Sequence, residues 1–299
     1  LIFLQTEDEP AAGFGVLGAA LGGKKSWTAT AAAGHVLMQD ALVVAEAERI
    51  PFVMYVGQRG GPSTGTVIYS QQELNLATRG GNGEAMRLVL GPSNLQELYD
   101  FTIKAFDWAW RYRLPVIVLG DGYLSKMTGE VQLKRAGRVT KSYPIVQGSK
   151  GVVNLRNCYS MEEELGDVLS TSLREYAAIS REVEQAENYR ITDAEIVIFA
   201  WGTVGSAARE AVKNLRSEGI KVGLFRPITL KPFPAQKAKQ AIKNAHTILI
   251  AESAVGQFGR QVTEALFGIS GVNVERLYKP AEGITSEEIE AKIKEVCGG

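Results

Sequence analysis

Two cysteines and two histidines are all that these 299 residues offer of the side chains that most readily hold transition metals. Cys158 and Cys297 match no metal spacing, and His35 and His246 stand too far apart to read as a pair. An iron–sulfur cluster takes about four cysteine ligands, so no metal is expected on this chain alone. No apolar run approaches the ~20 residues of a membrane span, and no signal peptide is visible. Lys+Arg and Asp+Glu both number 33, so the basic excess of a nucleic-acid binder is missing. Neither a membrane nor a nucleic acid is therefore expected as partner, and the expected setting is the cytoplasm. Nothing resembles a Ser–His–Asp constellation or a P-loop.

The rest of the composition is that of a globular protein, 45% apolar and 22% charged, long enough for two α/β domains. Residues 1–4 (LIFL) read as a buried strand that ends in Gln5-Thr6-Glu7-Asp8-Glu9. A helix rich in glycine and alanine follows, with Pro10 in its first turn and Gly22-Gly23 at its end. Opening on Leu1, inside a strand, the sequence is expected to continue a preceding segment. Further strands are expected at 27–30, 51–56, 87–90 and 115–119, with helices between them and Ser93 and Gln96 capping the longest. Trp108 and Trp110 on that helix are packing residues. This alternation implies parallel sheets with helices on both faces. After an aperiodic stretch and an acidic helix over 160–185, strands at 195–200, 220–225, 246–251 and 272–277 form a second unit. Its last helix opens with a Thr285-x-x-Glu288 capping box.

Ligands in such sheets bind past the carboxyl ends of strands. Glu7, Asp8 and Glu9 stand there, either complementing the helix dipole or serving a site. Arg59 heads a second loop, Arg59-Gly60-Gly61-Pro62-Ser63-Thr64-Gly65. The glycines can bring N–H groups to an anion while the guanidinium pairs with a carboxylate, or Arg59 meets a local acidic helix end. Gly202-x-x-Gly205 has too few glycines for a dinucleotide fingerprint and reads as a tight turn. Gly120-Asp121-Gly122 resembles the start of a Mg-diphosphate motif but has no clear asparagine partner, Asn154 and Asn157 lying in the connection. It reads as a strand end.

Four segments resemble the α-subunit of thiamine-diphosphate-dependent 2-oxoacid:ferredoxin oxidoreductases. They are QTEDEPAAGFGVLGAALGGKKSWTATAAAGHVLMQD (5–40), QRGGPSTG (58–65), RYRLPVIVLGDGYL (111–124) and ITDAEIVIFAWGTVGSAAREAV (191–212). The likeness is greatest to the branched-chain and 2-oxoglutarate members. It implies two doubly wound α/β domains: a pyrimidine-binding domain over 1–130, a connection over 131–190, and a transketolase C-terminal-like domain over 191–299.

The implied reaction is oxidative decarboxylation of a 2-oxoacid to its acyl-CoA, with electrons passed to ferredoxin. The resemblance gives Glu7 the catalytic hydrogen bond to the cofactor's aminopyrimidine ring and makes Glu7, Gly34, Gly60 and Gly61 cofactor-binding. Arg59, Ser63 and Thr64 would bind the substrate carboxylate. A β-subunit would carry the diphosphate–Mg2+ site, and ferredoxin-like and γ subunits the 4Fe–4S clusters. Two departures stand out: the family's Tyr-Pro-Ile-Thr-Pro unit is missing, and its Ser-Gly-Pro-Gly loop reads Ala31-Ala32-Ala33-Gly34. The alternatives are a β-subunit of a 2-oxoacid dehydrogenase E1, a transketolase-like chain, or a non-catalytic scaffold subunit.

Overall fold

Short strands that end at Thr30, Gln58 and Asp121 help to build the first of two five-stranded sheets. The structure, a computed structural model, describes residues 1–133, 137, 139–146 and 155–298. In the first sheet β1 (Trp27–Thr30), β2 (Phe52–Gln58), β4 (Pro115–Asp121), β3 (Leu88–Leu90) and β8 (Thr229–Lys231) lie side by side in that order. The second runs β10 (Asn273–Tyr278), β9 (Thr247–Glu252), β6 (Ile196–Phe199), β7 (Val222–Pro227) and β5 (Ala186–Tyr189). Pairing is parallel except where β8 meets β3 and β5 meets β7. Both antiparallel strands escape the sequence patterning because they are short and polar. β8 also belongs, by pairing, to the sheet of the other half of the chain.

The helix α1 (Glu9–Leu21) begins with Asp8, whose side chain accepts from the Ala11 N–H at 2.8 Å. Its small residues admit a neighbouring helix. A Cβ on Gly13 would come within 2.7 Å of the Ala41 Cβ on α3 (Gln39–Ala47). Between β1 and β2 the chain forms two helices, α2 (Ala33–Leu37) ahead of α3. In α5 (Leu95–Tyr112) Trp108 and Trp110 are buried. Its cap is Asn94, not Ser93: the Asn94 side chain accepts from the Glu97 N–H at 2.9 Å. Glu97, not Gln96, reaches back to Ser93. At the far end, α11 (Ser286–Gly298) opens with the reciprocal Thr285–Glu288 box.

One expectation fails outright. Residues 1–4 lie in no strand and are fully exposed, since no neighbouring edge pairs with them. The glycines of α8 (Gly202–Ser217) start that helix directly, without a separate turn. Asn154, weighed as a diphosphate partner, lies outside the described residues.

The two sheets are joined by buried polar bonds as well as by β8. Gln71 donates to the Trp201 carbonyl at 2.9 Å and accepts from the Ser253 N–H at 3.0 Å. Arg226 on β7 forks onto Glu97 at 2.6 and 3.0 Å and reaches Glu187 at 2.8 Å. Thr203 donates to Asp121 at 2.7 Å. Burial pushes the Asp121 carboxyl above the ordinary range despite the hydrogen bonds it accepts.

Gly120 and Gly122 are explained by close approach. A Cβ on Gly120 would meet the Tyr55 ring, and one on Gly122 would overlap the backbone carbonyl of Ile68. Gly122→Ala should therefore displace the 59–68 loop and lower the melting temperature by roughly 5 °C or more, measured by calorimetry. An unchanged melting temperature would show that the loop yields without loss.

Candidate active site

The parallel register places three chain reversals on one sheet edge. Thr30 pairs with Val56, and Gln58 pairs with Asp121, so β1, β2 and β4 end within a few residues of one another. The 31–34 loop leaves β1 there, and the Arg59 loop leaves β2. Between them opens a cavity of about 150 Å³, lined among others by Ala32, Ala33, Arg59, Gly61, Ser63 and Glu73. It lies below the roughly 300–1,000 Å³ typical of drug-sized sites and suits a small molecule.

The first wall is strained. Ala32 sits at φ 49°, ψ −117°, a conformation that favours glycine. Gly34, buried in α2, has no room for a side chain: a Cβ there would stand 2.9 Å from Glu9 Oε1 and nearer still to the Thr30 hydroxyl. The carboxylate at this wall is thus that of Glu9, half-buried in the first turn of α1. Glu7, the acid that the sequence resemblance selects, is exposed and lies just outside the helix. Residue spacing alone does not separate them. The helix starts one residue after Asp8, and of the three acids Glu9 is the one that approaches Gly34.

The second wall differs from expectation in its donors. Gly60 N–H donates to the Thr66 hydroxyl at 3.2 Å and Gly61 N–H to Gln72 at 3.1 Å. Arg59 N–H donates to Glu73 at 3.2 Å. All three N–H groups are thus bonded within the protein. Gly60 lies 2.8 Å, by its absent Cβ, from that of Ala281. What remains is the Arg59 side chain, whose Nε is buried without a hydrogen-bond partner. No carboxylate among the described residues pairs with it, so the alternative of a local acidic helix end is not realised. Ser63 lines the cavity from an exposed position; Thr64 is exposed and does not line it.

Two further residues escape sequence reasoning. Glu73, which precedes α4 (Leu74–Arg79), is 6% exposed. It accepts from Ala32 N–H at 3.0 Å and stands 2.8 Å from Nδ1 of His35. His35 is fully buried, and its Nε2 has no partner. Nothing local marks either residue, because their partners lie 14 to 41 positions away. A larger cavity of about 570 Å³ opens elsewhere beside Tyr176, Lys231 and Gln261, where burial and then Arg87 push the Lys231 amine down to about 8. It contains none of the residues that the sequence selects.

Among the described residues no group of three or more His, Cys, Asp or Glu side chains could hold a metal ion, and no helix is long and apolar enough to cross a membrane. The donor set fits the aminopyrimidine end of thiamine diphosphate: one half-buried carboxylate against a glycine that leaves no space, and one guanidinium with a buried, unpaired N–H.

Comparison with known proteins points the same way. Residues 1–190 match the family described as pyruvate flavodoxin/ferredoxin oxidoreductase, thiamine diphosphate-binding. Residues 194–294 match pyruvate:ferredoxin oxidoreductase core domain II. The chain is 32% identical to the ketoisovalerate oxidoreductase subunit VorB of Methanothermobacter marburgensis, over 99% of this chain and 85% of that one. It is also 32% identical to the 2-oxoglutarate synthase subunit KorA of Methanocaldococcus jannaschii, over 87% of this chain and 78% of that one.

In fold it resembles the 2-oxoglutarate:ferredoxin oxidoreductase from Magnetococcus marinus, solved with 2-oxoglutarate, coenzyme A and succinyl-CoA bound. The TM-score is 0.83 at 24% identity, covering 98% of this chain and 56% of that one, so this chain spans about half its length. A split-gene transketolase in an inactive β4 tetramer matches with a TM-score of 0.54 at 16% identity, over 95% of this chain and 81% of that one. The α/β fold, with a thiamine-type pyrimidine domain and a transketolase-like neighbour, is as expected.

Ala32→Gly should relieve the strain in the first wall and stabilise the protein by about 1 kcal/mol, because a non-glycine residue held there costs more than the flexibility glycine adds when unfolded. Chemical denaturation measures it; a loss of stability would place the strain elsewhere.

Proposed function

The chain belongs to the pyruvate flavodoxin/ferredoxin oxidoreductase family that binds thiamine diphosphate, and from that premise we propose that it is the α-type subunit of a complex converting a 2-oxoacid and coenzyme A to acyl-CoA and CO2, with two electrons passed to ferredoxin. The names of its relatives, ketoisovalerate oxidoreductase and 2-oxoglutarate synthase subunits, support this reading. The observation that carries it is the buried, unpaired guanidinium nitrogen of Arg59 at the cavity wall. A half-buried Arg with an unpaired Nε and no anion beside it among the described residues is suited to a substrate carboxylate, which it can hold through two parallel hydrogen bonds.

Each group then has a task. Thiamine diphosphate, when bound, supplies the nucleophilic carbon and holds the electron pair left by CO2. Glu9 holds the aminopyrimidine ring and shares a proton with its ring nitrogen, while Gly34 leaves the room for that contact. Arg59 anchors the 2-oxoacid carboxylate, with Ser63 beside it and Thr64 at the entrance of the loop. Val36, Leu37, Val67 and Ile68 stand exposed beside these loops, an apolar surface for a partner to cover. That partner is a β-subunit carrying the diphosphate and Mg2+; ferredoxin-like and γ subunits carry the 4Fe–4S clusters. The pyrimidine-binding part extends over 1–130, the connection over 131–190 and the transketolase-like part over 191–299. The complex works in the cytoplasm.

Purification of the native complex tests the reading. Thiamine diphosphate and iron together, with the visible absorbance bleached by one 2-oxoacid plus coenzyme A, support it and identify the acid. Thiamine without iron moves the chain to a dehydrogenase or transketolase, and neither makes it a scaffold. Within an active complex, Glu9→Gln should lower kcat by 10²-fold or more, as expected for a lost proton-transfer partner, and Glu7→Gln far less. Arg59→Ala should raise the 2-oxoacid KM by roughly tenfold to a hundredfold with a smaller change in kcat. The reverse order of the two glutamates would return the role to Glu7.

A further inference from the structure

We propose that Glu73 is the positioning residue that holds the two walls of the cavity in register, so that the Glu9 and Arg59 ends of the site are set by one buried carboxylate. The proposal rests on the assignment of those two residues above. The 31–34 loop comes from β1 and the Arg59 loop from β2, and neither loop bonds directly to the other through the groups that face the cavity. Glu73 Oε1 accepts from the backbone N–H of Ala32 at 3.0 Å and from that of Arg59 at 3.2 Å. One oxygen atom thus joins both walls. Oε2 takes the third bond, 2.8 Å from Nδ1 of His35, two residues beyond the first wall's end in Ala33. An ionised carboxylate only accepts, so Nδ1 is the donor of that bond, and the buried Nε2 has no partner. Glu73 is itself fixed from behind: its N–H donates to Gln58 Oε1 at 3.3 Å, and Gln58 Nε2 donates to the Gly120 carbonyl at 2.9 Å.

This geometry also explains the strained Ala32. Its φ of 49° is sustained by a hydrogen bond that reaches 41 residues along the chain to a buried acceptor. Loss of that acceptor frees the first wall, on which Glu9 packs through Gly34, and at the same step the second wall, on which Arg59 stands. Substitutions at Arg59 should act on the 2-oxoacid alone and those at Glu9 on the cofactor. Glu73 should act on both.

Glu73→Gln and Glu73→Ala separate the possibilities. The glutamine retains one carbonyl oxygen for both backbone donors and turns an NH2 toward His35, which forces that ring into the other tautomer. The alanine removes all three acceptor contacts. In the assembled complex, residue-resolved amide hydrogen exchange should show Ala32 and Arg59 protected in wild type and in Glu73→Gln. In Glu73→Ala both should exchange faster together by at least about tenfold. The 2-oxoacid KM and the thiamine diphosphate Kd should each rise about tenfold in Glu73→Ala, and by clearly less in Glu73→Gln. Should Glu73→Ala fail to assemble, Glu73→Asp, one methylene shorter, reads the same pair of amides.

Unchanged exchange at the two amides, glutamine behaving like alanine, or a rise in KM with no change in Kd overturns the proposal. A complex that protects both amides through Glu73 but turns over no 2-oxoacid contradicts the function assigned above and leaves the clamp itself in place.

Discussion

The register of β1, β2 and β4 is the constraint on which the site depends. Parallel pairing obliges neighbouring strands to end at the same edge, so loops far apart in the chain are delivered to one place. A slip of one residue in β2 would turn Gln58 to the opposite face of the sheet. It would lose its bond to the Gly120 carbonyl and its hold on Glu73. The cavity walls would then have nothing to fix them.

The two halves of the chain meet both along the side of this sheet and at the carboxyl ends of its strands. β8 pairs with β3, Thr203 bonds Asp121, and Gln71 bridges Trp201 and Ser253. Arg226 is 4% exposed and is bonded to Glu97 and Glu187, so removing either acid would leave a buried charge short of partners, a far larger penalty than the loss of a surface pair. These contacts explain how a second domain without site residues of its own still matters: it clamps the sheet edge from which the site loops depart.

Legibility followed the range of the interaction. Pro10, Gly22, the Thr285–Glu288 box and the apolar runs of β2 and β4 act over a few residues, and the sequence displays them openly. Where the bond is longer, the local pattern misleads. Ser93 looks like the cap, yet Asn94 is the cap and Glu97 is drawn back to Ser93 with Arg226 from 129 residues away. LIFL has the composition of a strand and no neighbour to pair with. The glycines at 60 and 61 look like an anion cradle, but their N–H groups are taken by Thr66 and Gln72. That Glu9 rather than Glu7 lies by Gly34 shows only in the fold, and Glu73 could not be found without both loops. Family resemblance named the domain and its cofactor, while the placing of the individual carboxylates came from the fold.

The most direct test of the account is a crystal structure of the assembled complex with thiamine diphosphate and a slowly reacting 2-oxoacid. The account predicts Glu9 Oε1 in hydrogen-bond contact with the aminopyrimidine ring and the acid's carboxylate forked on Arg59, with the Glu73 bonds to Ala32 and Arg59 intact. An aminopyrimidine ring held by any other acid, or a carboxylate bound away from Arg59, would contradict it.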